Sequence, residues 1–422
     1  MAVEIVSSFS VIRETFSSRN VTVLTITQTL FMFTAFLWWP YRSLFILELG
    51  ATKELLGMLL MLETVSRLLF QLPGGILTDR LGRRRLIVYS SIIRLGSPLV
   101  LLFATHWTHV APGIVLNAAS SLGIPAVNAL IAESLPERSR GSGFAVYRTV
   151  TWMPMIITSL VGGMLMDYYG VVKGVKLVLI FSLGASILSA LLRWRFIIET
   201  LEGLDNEEKI RPQARRKRSL RELVKMPREV WVMTAVAAIS VFSIRAVMSF
   251  MVIYAVEEVG LTKTQWGVIG TVVSLISTIL TLPGGMLADR IGRKPCIIIS
   301  RVLSSFSILG FAFSSNFWHM GATRALGGVA RGFGGTAWGP MGGPVWQALV
   351  VDLTPPEDRG RMMGLMGTIQ GLVSTPASWI GGYMYDNISP ELPFYTSFAL
   401  NIVGTVIFVA FLREPKRSRQ KQ

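Results

Sequence analysis

The strongest constraint on this chain is that it is written twice. The stretch from Leu72 to Arg84, LPGGILTDRLGRR, returns as LPGGMLADRIGRK from Leu282 to Lys294, 210 residues later. The same offset aligns ELGATKELLG from Glu48 with EVGLTKTQWG from Glu258. Past an insertion in the second copy the offset becomes 219, which pairs Pro125 with Pro344, Glu133 with Asp352, Arg140 with Arg359, Gly162 and Gly163 with Gly381 and Gly382, and Asp167 with Asp386. A period of half the chain is too long for a solenoid and fits a duplicated domain. The fold must therefore be one that a single half can build and a second half can repeat.

Composition says which solvent that fold faces. Of the 422 residues 51% are hydrophobic and only 16% charged, against about 25% charged in an ordinary soluble domain. Crossing a hydrocarbon core takes about 20 apolar residues. Such runs lie at 20–48, 54–78, 85–105, 109–134, 140–168 and 174–196, then at 230–257, 264–288, 295–314, 320–352, 360–386 and 392–412. In lipid a backbone must satisfy its own polar groups, so these runs are helices; the short alternating segments of a barrel are missing. The expectation is an all-α integral membrane protein of twelve transmembrane helices. Its two six-helix bundles, at 1–196 and 230–422, are joined by a polar linker at 197–229. The first 20 residues carry Glu4, Arg13, Glu14 and Arg19 and no separate apolar core, so no cleaved signal peptide is expected.

The net charge of +16 raises the question of nucleic acid, and the distribution of the charge answers it. Most Lys and Arg fall in the termini and in the loops between even and odd spans, with Lys53, Lys173, Lys176 and Lys263 on the opposite side. This is the positive-inside pattern. It places both termini and both copies of the repeated loop in the cytoplasm of a multi-pass cell-membrane protein, with no nucleic-acid partner. Trp107, Tyr168, Tyr169, Trp194, Trp231, Trp266 and Trp318 sit near span ends, as interfacial aromatic belts do. In the linker, acidic residues precede a basic run at 209–228. That run fits a solvated cytoplasmic linker, and it also fits contact with anionic lipid headgroups. Cys296 is the single cysteine, and His106, His109 and His319 fall at loop edges. No disulfide, metal site or cofactor is expected. A monomer with a small-molecule substrate is the simplest assembly.

Two loops repeated in register need more explanation than a generic short loop supplies. Small residues before the turn allow close helix approach, Gly82 permits the turn, and the arginines hold the loop at the surface. Here the chain resembles the major facilitator superfamily, whose loop signature is matched by Gly75, Leu77, Asp79, Arg80, Gly82, Arg83 and Arg84. It is matched again by Gly285, Leu287, Asp289, Arg290, Gly292, Arg293 and Lys294. The resemblance covers essentially the whole chain. It implies two six-helix bundles around a central cavity, alternating access about a midplane site, and a gating role for these motif residues, with Asp79 and Asp289 making inter-helix contacts.

Ionisable residues inside a bilayer are costly and mark function unless they reach an interface. Arg42, Arg301 and Arg324 lie near span ends and are expected to snorkel. Glu133, Asp352, Asp167 and Asp386 recur between halves and read as architecture. The central set is Glu63, Arg67, Arg94, Arg148, Arg245 and Arg331. Glu63 and Arg67 share a face of the second span and can pair; their counterparts, Val273 and Ser277, cannot. Glu63 is thus either half of a structural ion pair or a proton-coupling group. The surplus of arginine favours anions if these side chains face a cavity. By resemblance the cavity is lined by spans 1, 4, 7 and 10, which adds Gln28, Trp38, Asn117, Asn128, Trp338 and Gln347 to Arg148, Arg245 and Arg331 as substrate candidates.

Drug and proton antiporters of the superfamily carry an Arg four residues before a Gly in span 4 and a G-P-x-x-G-G run in span 5. Here Ala119 precedes Gly123, and span 5 reads TSLVGG at 158–163. The expected function is therefore secondary active transport of a small organic solute, leaning to an organic anion and coupled to protons. Multidrug efflux in exchange for protons is the alternative, and a non-transporting sensor with the same fold is the alternative of another class. The soluble segments carry no nucleotide loop, metal cluster or activated nucleophile, so an enzyme is not expected.

Overall fold

A computed structural model describes residues 12–200, 226–334, 343–355 and 358–412 of the protein. Among these, every regular element is helical. Ten helices have the length and hydropathy to cross a bilayer: α1 Arg19–Glu48, α2 Lys53–Leu81, α3 Arg83–Leu102, α4 Trp107–Ser134, α5 Arg140–Tyr169, α6 Val171–Phe196, α7 Arg228–Glu257, α8 Lys263–Ile291, α9 Arg293–Ala312 and α12 Leu392–Phe411. Two more come in pieces. α10 runs Phe317–Phe333 and resumes at Pro344–Leu353, and α11 runs Arg359–Ser374 and then Ala377–Asn387. The glycine-dense stretch 335–342, including Trp338, lies outside the described residues, as does 201–225 with nearly all of the basic run.

The breaks have local causes. Pro154 interrupts α5 after Trp152, and Pro376 interrupts α11 after Ser374. Each proline lacks the N–H that the helix interior would use. α2 and α3 are separated by Gly82 alone, at φ +88°, and α8 and α9 by Gly292 alone, at φ +100°. That left-handed conformation is open to glycine and strained for other residues, so the loop signature is also a steric requirement. The starts of the same helices repeat as well. Thr262 Oγ1 accepts from the Gln265 N–H at 3.1 Å, and Thr52 Oγ1 accepts from the Leu55 N–H at 3.2 Å.

The chain falls into two compact units. The first holds the residues up to Ala51 and from Leu62 through α6; the second holds Thr52–Met61 and everything from α7 onward. α2 thus begins in one unit and ends in the other. In lipid, helices associate through close packing of small residues more than through hydrophobic burial, and each unit uses the same crossing. A Cβ on Gly162 of α5 would fall 2.0 Å from the Leu37 carbonyl oxygen of α1. A Cβ on Gly381 of α11 would fall 2.0 Å from that of Ala246 in α7. Towards the repeated loops each unit has an apolar core, with Leu24, Ile87 and Leu130 in the first and Met233, Ile297 and Phe408 in the second. Trp266 corrects one expectation. It is buried at 8% exposure and packs edge-on against Phe311, so it belongs to the interior of unit 2. Trp194, Trp318 and Tyr168 are exposed.

In unit 2 the first turn of α2 is clamped. Asp386 Oδ2 accepts from the Glu54 N–H at 2.7 Å, a carboxylate at a helix N-terminus. Trp379 Nε1 donates to Glu54 Oε1 at 3.1 Å, and Lys53 Nζ meets Glu257 Oε2 at 3.0 Å. Gly57 lets the backbone of Ser378 approach, and Gly382 that of Lys53; a Cβ on either would come within 2.3 Å of a carbonyl oxygen.

Candidate functional site

The repeated loop builds the same lock in both units. Arg83 opens α3 and reaches α4, where Nη2 and Nε donate to Glu133 Oε1 at 2.9 and 3.2 Å. Its Nη1 donates to the Thr78 carbonyl at 3.2 Å and to Asp79 Oδ1 at 3.4 Å. In unit 2, Arg293 donates to Asp352 Oδ2 and to the Ala348 carbonyl of α10. The acids Glu133 and Asp352, related by the internal repeat, are thus the partners of the motif arginines. The next basic residue ties down a helix end. Arg84 Nη2 donates to the Trp194 carbonyl at 2.9 Å, and Lys294 Nζ donates to the Leu412 carbonyl at 2.6 Å. Cations there complement the C-terminal dipoles of α6 and α12. Glu199 accepts from the N–H groups of Arg83 and Arg84, both at 3.1 Å, closing the N-terminus of α3.

Two motif positions sit differently from expectation. The Asp79 side chain is 78% exposed and among the described residues it pairs with Arg83 across the turn, while Arg83 makes the contact to the next helix. Asp289, Arg80 and Arg290 are exposed. The close-packing glycines are Gly74 and Gly284, whose added Cβ atoms would meet the carbonyl oxygens of Leu122 at 2.7 Å and Gly332 at 2.2 Å; Gly75 and Gly285 face open space. Helix geometry explains the difference, because adjacent residues point about 100° apart.

Glu63 is the one carboxylate of the central set, and at 7% exposure it is buried. It pairs with Arg67, as the spacing predicts: Nη2 to Oε1 is 2.8 Å. Sequence spacing alone did not reveal its second partner. Arg42 Nη1 lies 2.7 Å from Glu63 Oε2, and its guanidinium stacks on Trp39 at 4.1 Å. Arg42 was expected to snorkel; instead its side chain is 11% exposed and spent on Glu63. Arg67 is half-exposed.

The structure also places arginines as three-helix clasps. Arg193 of α6, 2% exposed, donates Nε to Thr27 Oγ1 (2.9 Å), Nη1 to Ser91 Oγ (3.0 Å) and Nη2 to Gln28 Oε1 (3.4 Å), tying α6 to α1 and α3. Arg301 of α9, also 2% exposed, donates to Thr405 Oγ1 (3.0 Å), Ser240 Oγ (2.8 Å) and the Asn401 carbonyl (3.3 Å), tying α9 to α7 and α12. Arg301 stands where the repeat puts Ser91. The two units therefore make one junction with the cation on different helices. Arg301 does not snorkel, because polar partners inside the bundle replace water. Arg324 of α10 lies over the Trp266 ring at 5.6 Å with Nη1 3.4 Å from the Met251 sulfur, and Arg94 of α3 lies over Phe31 at 4.4 Å.

Of the cavity candidates, Gln28, Trp38, Asn117, Arg245, Arg331 and Gln347 are half-buried, while Arg148 and Asn128 are exposed. Gln28 serves the Arg193 clasp, and Arg331 Nε donates to the Gly327 carbonyl of its own helix at 3.4 Å. The Arg245 carbonyl accepts from Ser378 Oγ at 3.4 Å.

The family model described as Major Facilitator Superfamily matches residues 24–256 and 233–422. The chain is 30% identical over 164 residues to the quinolone resistance protein NorA of Staphylococcus aureus, an alignment covering 38% of this chain and 39% of that one. It is 30% identical over 155 residues to the class B tetracycline resistance protein of Escherichia coli, covering 37% of this chain and 36% of that one. The matched part is thus less than half the length of either relative. The fold is similar to the inward-open xylose transporter XylE from E. coli, with a TM-score of 0.71 at 16% identity over 96% of this chain and 98% of that one. The chain belongs to the major facilitator superfamily.

Proposed function

We propose that this chain is a secondary active transporter that moves a small organic solute by alternating access, with a preference for organic anions and with proton coupling through Glu63. The observation that carries the anion preference is the charge inside the helices. Glu63 is shared between two guanidiniums, and Arg94 and Arg324, which sit outside the two clasps, have no carboxylate partner among the described residues. Fixed cations of this kind select anions. Proton coupling rests on the placement of Glu63: a buried carboxylate between two arginines, in one half of a duplicated scaffold, alters the balance of its helix contacts when a proton neutralises it.

Asp79, Arg83, Asp289 and Arg293 serve in this reading as gate residues, and the clamp on the first turn of α2 is released in another state of the cycle. The chain sits in the cell membrane with both termini in the cytoplasm, following its positive charge.

Export of lipophilic drugs in exchange for protons is the second reading. The similarity to NorA and to the tetracycline resistance protein favours it. Proton flux in proteoliposomes, with a panel of organic anions set against lipophilic cations, separates the two. Anion-dependent flux that falls in Arg245→Ala supports the first reading; flux driven by lipophilic cations alone supports the second.

A further inference from the structure

Unit 1 holds a polar cluster that neither the repeated loop nor Glu63 uses. It lies where α1, α3, α5 and α6 meet, and two arginines within it are treated in opposite ways. Arg193 spends its N–H groups on Thr27, Ser91 and Gln28. Arg94 has no hydrogen-bond acceptor among the described residues. Its Nε is enclosed and unsatisfied, while the residue as a whole stays partly exposed. Its guanidinium carbon lies over the ring of Phe31, 4.4 Å from the ring centroid.

A guanidinium stacked on an aromatic face keeps its edge free, and that edge is the fork that matches a planar carboxylate. Leaving the enclosed Nε without an acceptor is costly, and a bound anion removes that cost. The surroundings suit such a ligand. Gln28 uses its amide oxygen on Arg193, which leaves its NH2 group to donate. Tyr147 lies within electrostatic reach of both arginines and supplies a phenol. Phe31 offers an apolar wall. The internal repeat shows that the fold does not require this cluster, since Gln28, Phe31 and Arg94 correspond to Ala238, Val241 and Ser304.

We propose that Arg94, backed by Phe31 and flanked by Gln28 and Tyr147, is the carboxylate-recognition point of a substrate site in unit 1 that takes a small aromatic or apolar carboxylate. The inference rests on the organic-anion reading and adds to it a location and a ligand class. Arg193 positions Gln28 and contributes a second positive charge.

The test is thermal unfolding of the purified full-length protein in lipid nanodiscs, titrated with benzoate, benzyl alcohol or benzylamine. Benzoate stabilises the wild type saturably, and the alcohol and the amine do not. Arg94→Gln weakens the benzoate response by at least about tenfold, the loss of a charge-assisted pair. Arg94→Lys, which keeps the charge without the fork, falls between, and Gln28→Ala weakens the response less than Arg94→Gln. The lysine and Gln28 variants keep the question open to refutation if Arg94→Gln misfolds. Benzoate responses equal to wild type in Arg94→Lys and Gln28→Ala overturn the site, as does a wild type that ignores benzoate. In either case benzoate-dependent flux in proteoliposomes still judges the organic-anion reading separately, and saturable binding of benzylamine alone overturns both.

Discussion

Arg42 on α1 and Glu63 on α2 meet at 2.7 Å across 21 residues of sequence, and their contact ties two helices of unit 1 together through charge. Because both side chains are largely buried, removing Glu63 leaves the Arg42 charge without its carboxylate, whereas removing Arg42 leaves Glu63 still paired with Arg67. Glu63→Leu should therefore cost about 3 kcal/mol in thermal unfolding, and Arg42→Leu less, because Arg67 still compensates Glu63. The double variant should recover most of that loss, since half-exposed Arg67 can turn to water. Additive losses in the double variant would mean that the pair is not coupled.

The glycine pairs make a sharper steric prediction. Gly74→Val and Gly284→Val drive a side chain into the backbone of Leu122 and of Gly332, whereas Gly75→Ala and Gly285→Ala enter open space. The first two should lower the yield of monodisperse protein severalfold by size-exclusion chromatography, and the second two should leave it near wild type. Equal behaviour of all four would contradict the packing.

Much of this was legible in the sequence because duplication repeats its own signals. Gly82 and Gly292 turn the chain at equivalent places, and the spacing of Glu63 and Arg67 put them on one helix face. The legible features are local or repeated. Arg42 joins Glu63 from another helix, which no spacing rule reaches. Arg193 carries no signal in the sequence, since a basic residue near a helix end needs no partner under the positive-inside pattern; its acceptors, Thr27 and Ser91, are single hydroxyls in apolar helices. Trp266 read as a belt residue for the same reason, its position near a helix end saying nothing about which face it occupies. Aspartate was the signature's most conspicuous charge, yet it is Arg83 that reaches the next helix, because its longer side chain spans the gap to Glu133.

The unit 2 clasp predicts a loss of stability with little change in substrate preference. Arg301→Gln breaks hydrogen bonds from a buried cation to Ser240, Thr405 and the Asn401 carbonyl, and bonds to charged groups contribute about 1.5–3 kcal/mol each. The variant should unfold at least about 5 °C lower in a thermal scan, while the rank order of transported solutes stays as in wild type. A changed rank order would move Arg301 into the substrate site.

The proposed gate role of the repeated loop predicts slowed cycling with an intact fold. Arg83→Gln and Arg293→Gln each remove the reach to Glu133 or Asp352, and Asp79→Asn removes the carboxylate at the turn. Each should keep the helical circular dichroism spectrum and reduce turnover in proteoliposomes by about tenfold. Wild-type turnover in all three would remove the repeated loop from the mechanism.

Proton movement through Glu63 is the central claim, and proteoliposomes carrying an imposed pH gradient test it directly, with wild type and Glu63→Gln compared at matched incorporation. The account predicts organic-anion-dependent proton flux in the wild type and none in Glu63→Gln, with solute exchange at zero gradient still measurable in both. Proton flux of equal size in the two proteins would contradict it and leave Glu63 as a brace between Arg42 and Arg67.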